Sequence, residues 1–421
     1  MTTPQIISIA VFAVVMALVV SEKIHRALAA LLGAVVLFCI GIVDFDAGMG
    51  SIDFNTLGVL CGMMMFVAVV KQSGLFEYVA IRSAKLCKGD PWKIMAAFVV
   101  ITALFSALLD NVTTILLIGP MTIMLCRTLK IDAVPFLVAE IMASNVGGTA
   151  TLIGDPPNIM IGSAAGLTFF DFIRYDAPVV VAILAVLLIV FKVLYGRKLS
   201  VGADAVRGVM ALSEQDAVKD RPLFVKSIAM IVAVTAAFML HGALHLESAV
   251  IALGAAGIML LISGGDLEGA LEGVEWGTIG FFLGLFVVVG AMEHTGVIAL
   301  VGEGLVSLTG GDTVLLMLAL LWGSALLSAV LDNIPFVATM IPIITVMASA
   351  GVDVFPLWWA ISLGACLGGN GSLVGASANV VLSGIANKEG YPVSFIGFTK
   401  VGFPIMVLTV AIATGYLLIL F

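Results

Sequence analysis

The sequence predicts an all-α polytopic membrane protein with two inverted-topology repeats, each of five transmembrane helices plus one re-entrant hairpin, with broken helices at the midplane. Three observations support this fold class. The 421 residues are 62% hydrophobic and only 11% charged, whereas soluble domains carry about 25% charged residues. Apolar stretches near the roughly 20 residues that cross a bilayer as a helix recur throughout the chain. Polar interruptions inside the longest stretches return, in similar form, in the second half.

Most apolar segments are expected to be single crossings. The first is interpreted as a retained helix, because it lacks the basic start of a signal peptide. The stretches 94–126 and 314–348 are too long for one helix and are broken midway by Asp-Asn, which predicts two re-entrant hairpins. The crossings are placed at 5–21, 27–43, 54–70, 134–166, 177–195, 224–240, 249–263, 277–292, 355–386 and 397–420.

Basic residues orient these segments, since Lys and Arg are retained in cytoplasmic loops. With both termini outside, all of the 19 basic residues except Arg174 fall on cytoplasmic segments. If either hairpin were a full crossing, this asymmetry would be lost. The expected location is therefore the cytoplasmic (inner) membrane of the cell, with the polar segment 196–226 as a cytoplasmic linker.

The two halves, 1–195 and 227–421, resemble each other. A shift of 222 residues aligns SALLDN (106–111) with SAVLDN (328–333), and a shift of 221 aligns Gly147-Gly148 with Gly368-Gly369. Because each half has an odd number of crossings, the second copy must be inverted. Inverted repeats with broken helices at the midplane are typical of secondary transporters.

The run SNVGGTATLIGDPPN (144–158) interrupts the helix predicted over 134–166. Glycines permit unusual backbone angles, and prolines cannot donate backbone hydrogen bonds. Unwound backbone at membrane depth needs protein or water around it. The run GGNGSLVGASAN (368–379) is expected to break the helix 355–386 in the same way.

Two hairpin tips and two breaks are expected to form one polar chamber. Asp and Asn also favour helix caps, but ionisable groups within the membrane are usually functional. The expected substrate- or ion-binding residues are Asp110, Asn111, Thr113, Asn145, Thr149, Thr151, Asp155, Asn158, Asp332, Asn333, Asn370, Ser372 and Asn379. Proton exchange is assigned to Asp110, Asp155 and Asp332, and the role of Glu140 is left open.

The chamber as predicted holds no Lys or Arg. A cation or a neutral polyhydroxyl solute therefore suits it better than a multivalent anion. No nucleotide-binding motif, metal-ligand spacing or disulfide framework is present, so no cofactor and no resident metal is expected. A channel and an intramembrane enzyme with catalytic aspartates are the alternatives from other classes, and coupled flux in sealed vesicles separates them from a transporter.

SNVGGTATLIGDPPN, the LDN tips and the inverted halves resemble the ion transporter superfamily, specifically the ArsB/NhaD permeases and the related melanosomal P protein. The resemblance covers nearly the whole chain. It implies secondary transport with elevator-like motion, a homodimer, and either arsenite and antimonite efflux or sodium/proton exchange. It also admits an external ATPase subunit; the other expected partners are protons, a small inorganic solute and the lipid bilayer, with no nucleic acid.

Arsenite efflux coupled to proton influx is the favoured interpretation, because arsenite is uncharged near neutral pH and offers three hydroxyl groups. Cys366, two residues before the second Gly-Gly, offers a sulfur ligand but is interpreted as packing. Sodium/proton antiport is the alternative. Dicarboxylate transport ranks third, because no basic residue was placed in the chamber.

Overall fold

The all-α polytopic class is confirmed by a computed structural model, which describes residues 1–21, 23–196, 199 and 201–421. The described residues form 22 α-helices and no β-strand. Eight of these helices are long and apolar enough to cross a membrane. Arg197 and Lys198, which were counted among the cytoplasmic basic residues, lie outside the described part of the chain.

The first half of the chain contains the helices that carry the first hairpin and the first break. They are α1 (Thr3–Ser21), α2 (Arg26–Cys39), α3 (Phe45–Gly50), α4 (Phe54–Gln72), α5 (Leu75–Leu86), α6 (Pro91–Leu108), α7 (Asn111–Leu129), α8 (Val134–Gly148), α9 (Pro156–Ala165), α10 (Phe169–Tyr175) and α11 (Ala177–Tyr195).

A short helix in the linker precedes the second set. The remaining helices are α12 (Ala203–Met210), α13 (Arg221–Leu244), α14 (Ser248–Ser263), α15 (Leu267–Glu272), α16 (Trp276–His294), α17 (Val297–Thr309), α18 (Thr313–Ser328), α19 (Asn333–Ser349), α20 (Phe355–Gly368), α21 (Ser377–Lys388) and α22 (Phe395–Leu420), with a 3-10 turn at Gly369–Gly371.

The same helix order appears in both halves. Both ends of α4 and α16 are related by the shift of 222 residues, and the starts of α2 and α14, of α6 and α18, and of α7 and α19 obey the same shift. The starts of α8 and α20 are related by 221. The repeat inferred from short motifs therefore extends to the helix boundaries.

The predicted hairpins are helix pairs, α6–α7 and α18–α19, whose arms meet at Asp110 and Asp332. The predicted crossings 134–166 and 355–386 are each two helices with a break between them. The short helices α3, α5, α10, α12, α15 and α17 were not predicted. Of these, α5 and α17 each lead into a hairpin, and α17 meets α18 at a bend of 119°. The second crossing is shorter than predicted, because α2 ends at Cys39 and not at 43.

The helices pack in two groups. We call α2, α4, α14 and α16 the frame, and α6–α9 with α18–α21 the core group. Glycines allow the closest approaches within each group, as in other membrane helix pairs. A Cβ on Gly62 would lie 2.5 Å from the carbonyl carbon of Ala252, and a Cβ on Gly284 would lie 2.4 Å from that of Ala30. In the core group, a Cβ on Gly147 would lie 2.2 Å from the carbonyl oxygen of Ala103.

Ion pairs attach the linker to the first half. The Lys85 ammonium of α5 lies 2.5 Å from Oε2 of Glu214, and the Arg82 guanidinium lies 3.0 Å from its Oε1. These contacts, with Lys85 the stronger, lower the pKa of Glu214 to about 2. The linker is therefore attached to α5, the helix that leads into the first hairpin.

Substituting Gly284 with Leu tests the close packing of the frame. The new side chain would meet the backbone of α2, and overpacking of this kind costs about 1–3 kcal/mol. We expect Gly284→Leu to lower the melting temperature of the purified protein in detergent.

Gly257→Leu in α14 is the matched control, because nothing lies within 4 Å of a Cβ at Gly257. Equal melting temperatures for the two variants would contradict the close approach of α2 and α16.

Candidate functional site

The first break folds tightly because two glycines cross within it. Helix α8 ends at Gly148 and α9 begins at Pro156. A Cβ on Gly148 would lie 2.5 Å from the carbonyl oxygen of Gly154, and a Cβ on Gly154 would lie 2.5 Å from that of Gly148. The Gly-Gly and Gly-Asp-Pro-Pro segments of the motif therefore pack directly against each other. A side chain at Gly148 or Gly154 would collide with the backbone of the other segment. Gly369 and Gly375 repeat this approach in the second break.

The carbonyl groups freed by unwinding are capped by two equivalent asparagines. Asn158 Nδ2 donates to the carbonyl oxygens of Thr149 at 3.1 Å and Thr151 at 3.0 Å. Asn379 Nδ2 donates to those of Gly369 at 2.7 Å and Ser372 at 2.9 Å. Buried backbone groups need such partners, so the amide nitrogens of both asparagines serve the breaks themselves.

A third asparagine joins the two breaks. Asn145 Nδ2 donates to Asn370 Oδ1 at 3.0 Å and to Asn379 Oδ1 at 2.9 Å, and its own Oδ1 accepts from Asn111 Nδ2 at 3.4 Å. All four asparagines are buried. The two inverted halves are thus connected through side-chain amides at the centre of the core group.

The hairpin tips carry the predicted aspartates, and both cap a helix. Asp110 accepts from the backbone N–H of Thr113 at 2.7 Å and from its hydroxyl at 2.5 Å. Asp332 accepts from the backbone N–H of Ile334 at 3.1 Å and from the Ser377 hydroxyl at 2.7 Å. A capping role therefore does not prevent Asp110 or Asp332 from belonging to the polar chamber, because both carboxylates point toward the same region.

Asp155 opens the second helix of the first break and connects it to the opposite tip. Both of its carboxylate oxygens lie 3.2 Å from Asn333 Nδ2. Asp155 is fully buried. Its counterpart in the second half is Ala376, so this carboxylate has no equivalent across the repeat.

The prediction that the chamber holds no Lys or Arg is wrong. The Arg26 guanidinium at the start of α2 lies 3.1 Å from Asp332 Oδ2. Its Nη1 also donates to Ser377 Oγ at 2.5 Å, its Nη2 donates to Thr278 Oγ1 at 2.9 Å, and the group lies 5.4 Å from the centre of the Phe281 ring. Arg26 falls in the predicted cytoplasmic segment between the crossings 5–21 and 27–43, and no local pattern connects it to a residue 306 positions away.

A small cavity lies between the tips and the frame, and we call it the inner cavity. Its volume is about 10 Å³, room for about one water molecule. The polar residues that line it are Arg26, Asp110, Asn111, Asp155, Glu275, Thr278, Asn333 and Ser377. Glu275 is a further carboxylate that sequence reasoning missed; it is related to Asp53 by the shift of 222 residues.

A larger pocket adjoins the inner cavity, and we call it the open pocket. It has a volume of about 310 Å³ and is lined by His25, Arg26, Asp332 and Ser377 together with aliphatic side chains. Arg26 and Ser377 line both spaces, whereas Asp332 lines only the open pocket. The Arg26–Asp332 ion pair therefore separates the two.

A third space lies between α9, α16 and α19, and we call it the far pocket. It has a volume of about 240 Å³ and is lined by Asp53, Ser163 and Glu293 among others. Asp53, just before α4, accepts from Ser163 of α9 at 3.0 Å. Arg26 begins α2 and Asp53 caps α4, so the frame contacts the core group at two separate places.

The predicted site residues divide into two sets. Asp110, Asn111, Asp155 and Asn333 line the inner cavity, and Asp332 lines the adjoining pocket. The others form the hydrogen-bonded framework behind it: Thr113, Asn145, Thr149, Thr151, Asn158, Asn370, Ser372 and Asn379. Thr151 and Ser372 have equivalent roles, because each donates to a backbone carbonyl near the end of the first hairpin arm, Ala107 and Ala329.

Glu140 and Cys366 do not line these spaces. Glu140 is buried on α8, where it accepts from the Thr122 hydroxyl and leaves its other oxygen without a partner. Cys366 Sγ lies 3.7 Å from Asn158 Oδ1. Neither residue contacts the inner cavity in the described structure.

Two inverted halves, with hairpin tips and broken helices that meet at a buried polar cavity, define a membrane transporter. The family model described as "Citrate transporter" (CitMHS) matches residues 16–364. The chain belongs to this family of transporters. The resemblance to the ion transporter superfamily is thereby confirmed.

Relatives extend over nearly the whole chain. A protein of Mycobacterium tuberculosis described as an uncharacterized transporter is 42% identical over 421 residues, 98% of each chain. The P protein of Mus musculus is 35% identical over 98% of this chain and 60% of its own length. The crystal structure of the YdaH transporter of Alcanivorax borkumensis covers 99% of this chain and 98% of its own with a TM-score of 0.61, at 12% identity, and so shares the fold.

Substituting Asn145 with Leu tests the connection between the breaks. It removes the donor of two buried side-chain carbonyls, and leaving such groups unsatisfied costs about 1–3 kcal/mol. We expect Asn145→Leu to lower the melting temperature in detergent. Asn387→Leu, at an exposed position of α21, should leave it unchanged, and a similar effect of both would argue against the asparagine network.

Proposed function

We propose that this transporter exports arsenite or antimonite in exchange for protons by alternating access. The observation that carries the proposal is the chemistry of the inner cavity, which is lined mainly by hydrogen-bond acceptors. Asp110 and Asp155 contribute carboxylates, and Asn111 contributes a buried Oδ1 without a donor. An uncharged solute with three hydroxyl donors complements three acceptors without a counter-charge.

Proton coupling follows from competition for the same oxygens. When the solute leaves, Asp110 and Asp155 lose its hydroxyl donors and are left with few partners at membrane depth, where an uncompensated carboxylate is costly. Binding a proton removes that charge. Release of the solute and uptake of a proton on the same side of the membrane therefore amount to solute/proton exchange. Asp332 also takes up a proton in this scheme, once its ion pair with Arg26 opens.

The arrangement of frame and core group supports alternating access. The open pocket adjoins the inner cavity at Arg26, and the far pocket lies between α16 of the frame and α9 and α19 of the core group. Movement of the core group along the frame would open the cavity to one pocket and then the other. The elevator-like motion and the homodimer expected from the family resemblance belong to this proposal.

Carboxylate transport is a second candidate, favoured by Arg26 and by the description of the family. Arg is well suited to bind carboxylates in a bidentate manner. Against this, Arg26 is already paired with Asp332, and three further carboxylates, Asp110, Asp155 and Glu275, line the inner cavity. An organic anion would have to displace Asp332 and enter an acidic space.

Reconstituted vesicles distinguish these functions. We expect an outward arsenite gradient to drive proton uptake, reported by a pH-sensitive dye inside or outside the vesicles, and we expect Asp155→Asn to reduce this flux to background. Asp353→Asn removes an exposed carboxylate and should retain it.

Sodium and citrate are run in parallel. Proton flux with sodium alone would identify a sodium/proton antiporter, and flux with citrate alone would identify a carboxylate transporter. Solute flux that is indifferent to the proton gradient would exclude antiport.

Arg26→Gln separates an uncharged substrate from an anionic one. If the substrate is arsenite, transport should persist with an altered pH dependence, because Asp332 loses its counter-charge. If it is a carboxylate, loss of a charge-assisted contact should raise KM by about 10- to 100-fold.

The double variant with Arg26→Gln and Asp332→Asn is the control, since it removes the whole pair and leaves no orphaned charge. Arsenite transport lost in the single variant and retained in the double variant would assign the defect to Asp332. Loss of arsenite transport in both variants would contradict the proposal that the substrate is uncharged and is transported without this ion pair.

A further inference from the structure

A buried carboxylate outside the inner cavity is connected to the first break. Asp176 lies between α10 and α11 and is fully buried. Its Oδ2 lies 2.6 Å from Ser362 Oγ of α20, whereas its Oδ1 has no hydrogen-bond partner among the described residues. No described ion pair includes Asp176, and the neighbouring Arg174 stacks instead on Tyr175, 5.3 Å from its ring centre.

Ser362 also touches the asparagine that caps the first break. Its Oγ lies 2.8 Å from Asn158 Oδ1. The orientation of the Asn158 amide is set by its Nδ2, which donates to backbone carbonyls of the break. Asn158 Oδ1 therefore faces Ser362 as an acceptor, and Asp176 Oδ2 faces the same hydroxyl from the other side.

Ser362 has one hydroxyl proton for these two acceptors. When Asp176 is ionised, the hydroxyl donates to the carboxylate, and Asn158 Oδ1 keeps only the weak thiol donor of Cys366 at 3.7 Å. When Asp176 carries a proton, it donates to Ser362 Oγ, and the hydroxyl donates to Asn158. The two protonation states thus give opposite directions to one chain of hydrogen bonds.

We propose that Asp176 is a second proton-binding site, outside the inner cavity, and that its proton acts through Ser362 to set how firmly Asn158 holds the first break. This break carries Asp155, three residues before Asn158. Loss of the proton from Asp176 loosens the segment that bears Asp155, and its return fixes that segment. Asp176 is a positioning residue in this scheme, since it does not touch the inner cavity.

Other titratable groups near Asp176 come from each packed element. Cys366 of α20 and Tyr416 of α22 are titratable groups near Asp176, and Tyr175 precedes it. All three are uncharged near neutral pH. On the remaining neighbours, His241 of α13 accepts from the Phe169 backbone N–H, and Glu140 of α8 is hydrogen-bonded by Thr122. None of the described groups supplies Asp176 with a cation.

Infrared difference spectra of the reconstituted full chain test the proton directly. A pH titration of the wild type should reveal C=O stretching bands of protonated carboxyl groups. We expect Asp176→Asn to remove one such band and Ser362→Ala to shift the same band without removing it. Glu140→Gln, which removes another buried carboxyl, should affect a different band; a spectrum of Asp176→Asn identical to wild type would overturn the proposal.

Hydrogen–deuterium exchange of residues 149–155 tests the effect on the break, after correction for the intrinsic pH dependence of exchange. In the wild type, exchange should increase about fivefold as Asp176 loses its proton, the effect of one hydrogen bond. Asp176→Asn, whose amide donates to Ser362 as the protonated acid does, should exchange slowly at every pH. Ser362→Ala should exchange rapidly at every pH.

The two variants therefore have opposite expected effects, so a general loss of folding cannot imitate the result. If Asp176→Asn does not fold, the pH response of hydrogen exchange in Ser362→Ala alone tests the proposal. An unchanged pH response in either folded variant would overturn the proposal. No transported solute is present in these experiments, so their failure is separate from failure of arsenite exchange.

Discussion

The need to satisfy backbone groups inside the membrane governs this structure. Each break leaves carbonyl groups without helical partners where lipid offers none. Asn158 and Asn379 supply the missing donors, and Asn145 joins the two capped segments across the repeat. Because the amide nitrogens of Asn158 and Asn379 are committed to the backbone, they hold the breaks, and with them Asp155, in place. Polar chemistry in the cavity thus depends on amides that never reach it.

The sequence was sufficient to predict the breaks and tips because their signals are local. Gly-Gly and Pro-Pro forbid a continuous helix, and an Asp-Asn pair inside an apolar stretch marks a turn. Arg26 and Asp176 gave no such signal. Arg26 reads as part of a basic loop, and its contact with Asp332 joins distant positions. Asp176 reads as a residue at a helix start, and only tertiary packing buries it beside Ser362. The short helices α5 and α17 were missed because they lead into the hairpins rather than cross.

The repeat is symmetric in its framework and asymmetric in its chemistry. Thr151 and Ser372 anchor the breaks in the same way, and Asp110 and Asp332 cap equivalent helices. Charge breaks this symmetry. Asp155 corresponds to Ala376 in the second half, and Arg26 pairs with Asp332 but not with the other tip aspartate, Asp110. The repeated residues form the framework common to both halves. The residues that differ between the halves make the cavity asymmetric.

The separation of the inner cavity from the far pocket has an energetic consequence for the cell. The two share no lining residue, and the Arg26–Asp332 pair lies at the boundary with the open pocket. The inner cavity and the far pocket are therefore separate spaces in this conformation. A transporter driven by an ion gradient needs such a separation, because a continuous aqueous path would let ions flow down the membrane potential.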